Sequence, residues 1–212
     1  HLDHADPARD FWALTEGVSY LSSVMLDMQA YSLEDNIYST KEYVKSYGQK
    51  VLIEGVMEEL AVEGIRESHR NDDYVEKAVK YCRSTGVDFL VADLGTEQQS
   101  SDIGNCRYLS QRAIDLTKGL GKPMLVLHGT SCLTNEQMQS IADDGIVRVN
   151  MWTRIARESG GYAATKLMER IDKINRGDFE ATESKQYIYD SIEKAADIME
   201  GILEVLGYKN LA

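Results

Sequence analysis

The chain has 212 residues, 43% hydrophobic and 27% charged, the balance of an ordinary soluble domain with enough length to bury a core. Its formal net charge is −12 and its pI about 4.8, which argues against nucleic acid or an anionic membrane as main partner, since both are polyanions. There is no apolar run of the roughly 18 residues that a membrane-spanning helix needs, and no signal peptide is visible, so a cytoplasmic protein is expected.

Short apolar runs recur along the chain in alternation with helical patterns. A strand end is read at His1–Asp3. Strands are then expected at Ser22–Asp27 (SSVMLD), Val51–Gly55 (VLIEG), Phe89–Leu94 (FLVADL), Pro123–His128 (PMLVLH) and Ile146–Asn150 (IVRVN). Each run is continuous rather than alternating, as suits strands covered on both faces of a parallel sheet. Helices are expected at Leu33–Tyr47, Asp72–Ser84 with Asp caps, Tyr108–Leu120 and Thr134–Asp143 with Thr134 as N-cap. Two longer amphipathic helices, Thr153–Ile174 and Ser184–Leu206, follow. There are only two prolines, and no linker interrupts the chain, so residues 1–212 are read as one domain. The three cysteines, Cys82, Cys106 and Cys132, are widely spaced with no Cys-x-x-Cys pair, and reduced thiols are expected.

Strands alternating with helices predict βαβ units, in an open sheet or in a barrel. The polar residues favour the barrel. Asp3 and His4, Asp27, Glu54, His128 and Asn150 all fall at or just past the C-terminal end of a strand. A (β/α)8 TIM barrel assembles its site there from many strands at once, whereas an open sheet concentrates chemistry at one switch point. Six strand signals are two short of eight, so the first strands of the barrel are expected to be missing from this chain, with a helical extension at its C-terminus.

Three clusters can carry chemistry. In His1-Leu2-Asp3-His4 a carboxylate beside an imidazole can supply a proton-transfer group next to a metal ligand. In Leu127-His128-Gly129-Thr130-Ser131 a strand ends in His and a small-residue turn follows, whose N–H groups can cradle phosphate. In Arg148-Val149-Asn150-Met151-Trp152-Thr153, Asn and Thr at a strand end can hold a hydroxyl or a phosphate oxygen. Each alone also has a structural explanation.

Order and spacing together are far more specific. The blocks HLDHA (1–5), SSVMLD with EDNIYSTK (22–27, 34–41), VLIEG (51–55), TGVDFLVADLGT (85–96), PMLVLHGTS (123–131) and DGIVRVNMWT (144–153) resemble, in order, the class II ketose-bisphosphate aldolases that act on fructose- and tagatose-bisphosphate. The resemblance covers roughly residues 1–155. It implies a metal-dependent carbon–carbon lyase that cleaves a ketose (bis)phosphate to dihydroxyacetone phosphate and an aldehyde. Zinc or another divalent metal would be held by His4 and His128, with Glu54 a further candidate ligand. Asp3 would shuttle the proton of the C4 hydroxyl from beside the metal. Gly95, Gly129, Ser131, Asn150, Thr153 and Asp27 would contact the substrate. A small sugar phosphate as ligand and a homo-oligomer as assembly are also implied.

Departures from the family pattern gather around these positions. Gln98 stands where a metal histidine is usual and Gln99 where a glycine is usual; glutamine is a poor zinc ligand. Val56 replaces a second carboxylate, and Trp152 an acidic residue. The turn usually read Gly-Gly-Ser-Gly is Gly129-Thr130-Ser131-Cys132, and Asp-Gly-Ser is Asp27-Met28-Gln29. A catalytic glutamate is expected from a loop matching residues 58–69, with Glu58, Glu59, Glu63 and Glu67 as candidates. Three readings follow: a working aldolase, an aldolase-like protein with a different substrate, or a non-catalytic binding or regulatory protein.

Overall fold

A computed structural model describes residues 1–58, 73–100, 104 and 106–208. The chain divides into two compact units: His1–Leu133 with Ser140–Asn150, and Thr134–Gln139 with Met151–Ala212.

The first unit is an α/β fold on one parallel sheet. Its strands are β1 (Leu2–Ala5), β2 (Ser23–Leu26), β3 (Leu52–Val56), β4 (Phe89–Val91), β5 (Leu125–Leu127) and β6 (Ile146–Val149). They lie side by side in chain order, each parallel to the next. Among the described residues the sheet has six strands, where eight were expected of a closed barrel. β2, β5 and β6 are shorter than their apolar runs, whose final polar residues Asp27, His128 and Asn150 lie just past the ladder; β3 is shifted one residue beyond its run.

Strands β2 to β5 are covered on both faces, whereas Val147 of β6 is exposed. Met25, Val56, Val91 and Val126 form a buried cluster from four neighbouring strands, with Phe89 packed against it. Val24, Ile53, Leu90 and Leu125 alternate with them and are fully buried on the opposite face. Helices α2 (Leu33–Tyr47) and α3 (Tyr74–Thr85) meet the β3 end through a buried polar relay. Tyr81 Oη donates to Asn36 Oδ1 (3.2 Å), Thr40 Oγ1 donates to the same oxygen (3.0 Å), and Asn36 Nδ2 donates to Val56 O (2.8 Å). Gly55 makes that approach fit, since a Cβ there would lie 2.7 Å from the Tyr81 hydroxyl. Helix α1 (Phe11–Leu14) follows β1, and α4 (Ser110–Leu120) runs between β4 and β5.

Two helix starts depart from expectation: α4 begins at Ser110 where Tyr108 was expected, and α3 lacks its expected Asp cap. Asp73 precedes α3 but makes no side-chain cap bond, and Asp72 lies outside the described residues. The α2 start is capped instead by Ser32, whose Oγ accepts from the Asp35 N–H (3.2 Å).

In the second unit, α5 (Asn135–Ser140) opens on a capping box: Thr134 Oγ1 accepts from the Gln137 N–H, and Gln137 Oε1 accepts from the Thr134 N–H. The single helix expected over Thr153–Ile174 is broken at Arg170 into α6 (Thr153–Glu169) and α7 (Ile171–Asn175). Arg170 has φ −96° and ψ 0°, outside the helical well, and it pairs with Asp190 of α9 (Ser184–Val205) at 2.6 Å. Helix α8 (Phe179–Thr182) is short and capped by the Asp178 carboxylate. No described helix is long and apolar enough to cross a membrane.

The cysteines correct the expectation of three reduced thiols. Cys106 and Cys132 are joined in a disulfide, and Cys82 alone is free and buried. The bridge forms because the β5 turn is laid directly against the segment after β4. Gly104 N–H donates to Cys132 O (2.7 Å), and Thr96 Oγ1 donates to His128 O (2.6 Å).

Candidate active site

The candidate residues of the first unit gather at the C-terminal rim of its sheet. His1 precedes β1, while Asp3 and His4 lie within it. His4 has φ +49°, in the left-handed region, beside an irregularity in the β1–β2 register. For a non-glycine residue this backbone costs roughly 1–2 kcal/mol. The distortion turns the imidazole toward Asp27, just past β2, so that His4 Nδ1 and Asp27 Oδ2 are 2.7 Å apart. That hydrogen bond is the main reason the His4 pKa is raised, helped by the charges of Asp3, Asp27 and Glu54 and opposed by burial.

His128 follows β5 and is 5% exposed. Its ring meets the His4 ring edge-on at 5.0 Å between centroids. Ligand-type atoms of Asp3, His4 and His128 all lie within 4.8 Å of one another. His1, Asp3 and Glu54 form a second such group.

Glu54 projects from β3 and is fully buried. Its Oε2 receives Arg148 NH1 of β6 at 3.0 Å, and the same guanidinium lies 4.4 Å above the Phe89 ring. The other oxygen, Oε1, faces His128 Nε2 and Asn150 Nδ2, each at 3.2 Å. Asn150, just past β6, has its Nδ2 2.9 Å from Asp3 Oδ1, 2.9 Å from His128 Nε2 and 3.5 Å from His1 Nε2. One amide has two hydrogens and cannot satisfy four neighbours of this kind. With His1 and His128 Nε2 as lone pairs, more acceptors than donors face this small volume, the arrangement a cation requires. The two imidazoles are ligand types of catalytic zinc sites, Glu54, whose Oε1 faces His128, offers a carboxylate, and the Asp27–His4 pair is the usual outer bond that orients a ligating ring. The residues present fit a divalent metal.

Gly95 has φ +80°, and a Cβ there would come within 2.1 Å of Arg107 O, so the backbone packing alone demands glycine. Gly129 (φ +68°) is pressed against the Glu97 backbone in the same way. Ser131 lies in a 3-10 turn, Thr130–Cys132, and its buried Oγ has no hydrogen-bond partner among the described residues. Gln98 is part-buried, with its Nε2 also unpartnered. Thr153 starts α6 and belongs to the second unit. Of the loop glutamates, Glu59, Glu63 and Glu67 lie outside the described residues. Glu58 is described: burial first, then the nearby Asp93 charge, pushes its carboxyl up to about 7.

Reasoning from sequence missed His1 and Arg148 as members of this network. A signal existed, because period-two alternation puts residue 1 beside Asp3 and residue 148 beside Asn150. Nothing in the order of residues marked which partners they would find across the sheet.

The family model described as Fructose-bisphosphate aldolase class-II matches residues 1–210. The chain is 30% identical over 162 residues to the 6-phospho-5-dehydro-2-deoxy-D-gluconate aldolase of Bacillus velezensis, a match covering 72% of this chain and 52% of that protein. It is 24% identical over 221 residues to a fructose-bisphosphate aldolase of Streptococcus pneumoniae, covering 100% of this chain and 72% of the relative. Among solved structures, the fructose-bisphosphate aldolase of Campylobacter jejuni superposes with a TM-score of 0.74 at 16% identity, over 97% of this chain and 68% of that one. The YdjI aldolase of Escherichia coli K12 gives 0.69 at 18% identity, over 97% of this chain and 66% of that one. The two structural likenesses establish a shared fold. The chain spans about half to three quarters of the length of these relatives.

Proposed function

Because the chain belongs to the class II fructose-bisphosphate aldolase family, we propose that it is a metal-assisted carbon–carbon lyase that cleaves a phosphorylated ketose, or a close analogue, by a reversible retro-aldol reaction. The observation that carries this reading is the convergence of Asp3, His4 and His128 ligand atoms within 4.8 Å of one another. The six strands are read as part of the family's (β/α)8 barrel.

His4 and His128 would hold a divalent metal, zinc by family likeness, which supplies Lewis-acid polarisation of the ketose carbonyl when bound. The remaining work falls to side chains of this chain. Asp3 takes the proton from the hydroxyl on the carbon that becomes the aldehyde. The adjacent C–C bond breaks, its electron pair moves onto the carbonyl-bearing fragment as an enediolate, and the aldehyde departs. A carboxylic acid from the loop at residues 58–69 would then protonate the enediolate carbon, giving the ketone product. Asn150 holds the Asp3 carboxylate at 2.9 Å in the orientation needed for that transfer. Arg148 pairs with Glu54 at 3.0 Å and holds its carboxylate in place behind His128. With a net charge of −12 on the chain, the phosphate must be met by local donors; the Ser131 hydroxyl and the N–H groups of the 129–132 turn are the candidates.

A second reading is supported by that same turn. Thr130, Ser131 and Cys132 are all buried, and Cys132 is tied to Cys106. A turn closed in this way suits a substrate other than fructose-bisphosphate. The relative at 30% identity is named for a phosphorylated deoxy sugar acid, so a sugar-acid phosphate belongs in the assay.

The test is metal analysis with retro-aldol assays on fructose-bisphosphate, tagatose-bisphosphate, a phosphorylated deoxy-ketogluconate and unphosphorylated ketoses. About one zinc or cobalt per chain with turnover on one of them is expected. No metal after loading and no turnover would leave a binding or regulatory role. Asp3→Ala should abolish turnover and keep the metal; loss of metal would make Asp3 a ligand instead of the proton carrier.

A further inference from the structure

The metal reading leaves a shortfall. With Gln98 at a position where the family pattern has histidine, two imidazoles must do more of the holding. Their orientation then matters more, because a ligand already aimed at the metal loses less freedom on binding. The structure contains a device for this around His4. The ring sits on a left-handed backbone (φ +49°), and its Nδ1 lies 2.7 Å from Asp27 Oδ2. Asp27 is itself held by one residue, twice. Gln29 Nε2 donates to Asp27 Oδ2 (3.0 Å), and the Gln29 backbone N–H donates to Asp27 Oδ1 (3.2 Å). Both carboxylate oxygens are thereby fixed, and the one facing His4 takes two hydrogen bonds.

We propose that Gln29 is a positioning residue that acts through Asp27 on His4, fixing the imidazole as the tautomer that carries its proton on Nδ1 and presents the Nε2 lone pair to the metal. The physical reason is the geometry of the carboxylate. Asp27 can rotate about its Cβ–Cγ bond unless both oxygens are engaged. The backbone bond from Gln29 holds Oδ1, which leaves Oδ2 directed at His4. The side-chain bond from Gln29 then completes Oδ2. A serine at position 29, as in the family's Asp-Gly-Ser pattern, is too short to deliver an amide donor in this way. The departure at 27–29 is therefore a gain of an outer-shell donor next to the loss at 98. This also reassigns Asp27, which the family likeness offered as a substrate contact, to a role behind the ligand.

The inference rests on the proposed function, and its test is chosen to separate the two. Two-dimensional 15N–1H NMR of the metal-free protein, in alkaline solution where the ring is neutral, reads the His4 tautomer directly. Cobalt titration reads affinity through visible absorption. Wild type should show the Nδ1–H tautomer at His4. Asp27→Asn should shift it toward Nε2–H and weaken cobalt binding by about 10–100-fold, the usual cost of losing an outer-shell partner. Gln29→Met, which keeps the side-chain length and removes the donor, should move both readouts in the same direction by less. Gln29→Glu, which sets a second carboxylate against Asp27, should move them further than Gln29→Met. Circular dichroism of each variant confirms the fold. A His4 tautomer unchanged in Asp27→Asn overturns the relay. A shift in Asp27→Asn with wild-type behaviour in both Gln29 variants removes Gln29 from it. Wild type that takes up no cobalt overturns the functional reading, while the tautomer comparison still judges the relay.

Discussion

Replacing Arg148 by Met tests the electrostatics beneath the site. Glu54 is fully buried, and among the described residues the guanidinium at 3.0 Å is its ion-pair partner whose charge does not depend on histidine protonation. Methionine keeps the packing over Phe89 and removes the charge. Breaking a buried pair by deleting one partner costs about 3–5 kcal/mol, because the remaining charge is left uncompensated. Arg148 is itself 24% exposed at its side chain, so water softens the loss and the lower end, about 3 kcal/mol, is expected. For a chain of this length that is a fall in Tm of roughly 6–12 °C. The double variant Arg148→Met with Glu54→Leu should recover most of the loss, since no unpaired charge remains. Calorimetry of the metal-free protein measures both. A single variant within half a degree of wild type would refute the claim that the Glu54–Arg148 pair contributes to stability.

Three further outcomes are expected. The Cys106–Cys132 bridge closes a loop of 26 residues, and Cys106→Ser should lower stability by about 3.5 kcal/mol on the chain-entropy estimate, read as a denaturation midpoint that no longer responds to dithiothreitol. Glu58 has its carboxyl pushed from 4.5 up to about 7, so the folded state binds its proton more tightly than the unfolded state. Its contribution is fully present below pH 4.5 and is lost as pH rises through about 7; Glu58→Gln should therefore be more stable than wild type at alkaline pH and nearly equal in acid, by thermal melts across that range. Asn36 is fully buried and joins α2 and α3 to Val56 O, so Asn36→Ala should cost about 2 kcal/mol by leaving that carbonyl and the Thr40 and Tyr81 hydroxyls short of a partner; urea titration checks it, and a variant as stable as wild type would show that water takes Asn36's place.

Much of the architecture was legible in the residues. Continuous Val/Ile/Leu runs separated by helical periods predicted parallel strands; β2, β4, β5 and β6 fall within the runs named, and β3 is shifted one residue beyond its run, to Val56. This works because burial on both faces leaves no alternation to preserve. The helix break at Arg170 was not legible, because both sides keep helical composition and a cross-helix ion pair helps mark the stop. The disulfide was not legible either. Cysteines 26 apart could pair only once the β5 turn was laid against the segment after β4.

The order of residues alone determined the family, the parallel αβ alternation and the polar character of each strand end, since these are properties of short segments and their sequence. Which polar residues touch was decided only by the tertiary structure. The register Met25↔Glu54 and Val126↔Arg148 brings side chains from distant segments to one rim. His4 reaches Asp27 across 23 positions, and Arg148 reaches Glu54 across 94. Hydrogen bonds of this kind act over about 3 Å and carry no trace in a linear pattern, so the partners of His4, Glu54 and Asn150 became known only when the sheet brought the strand ends together.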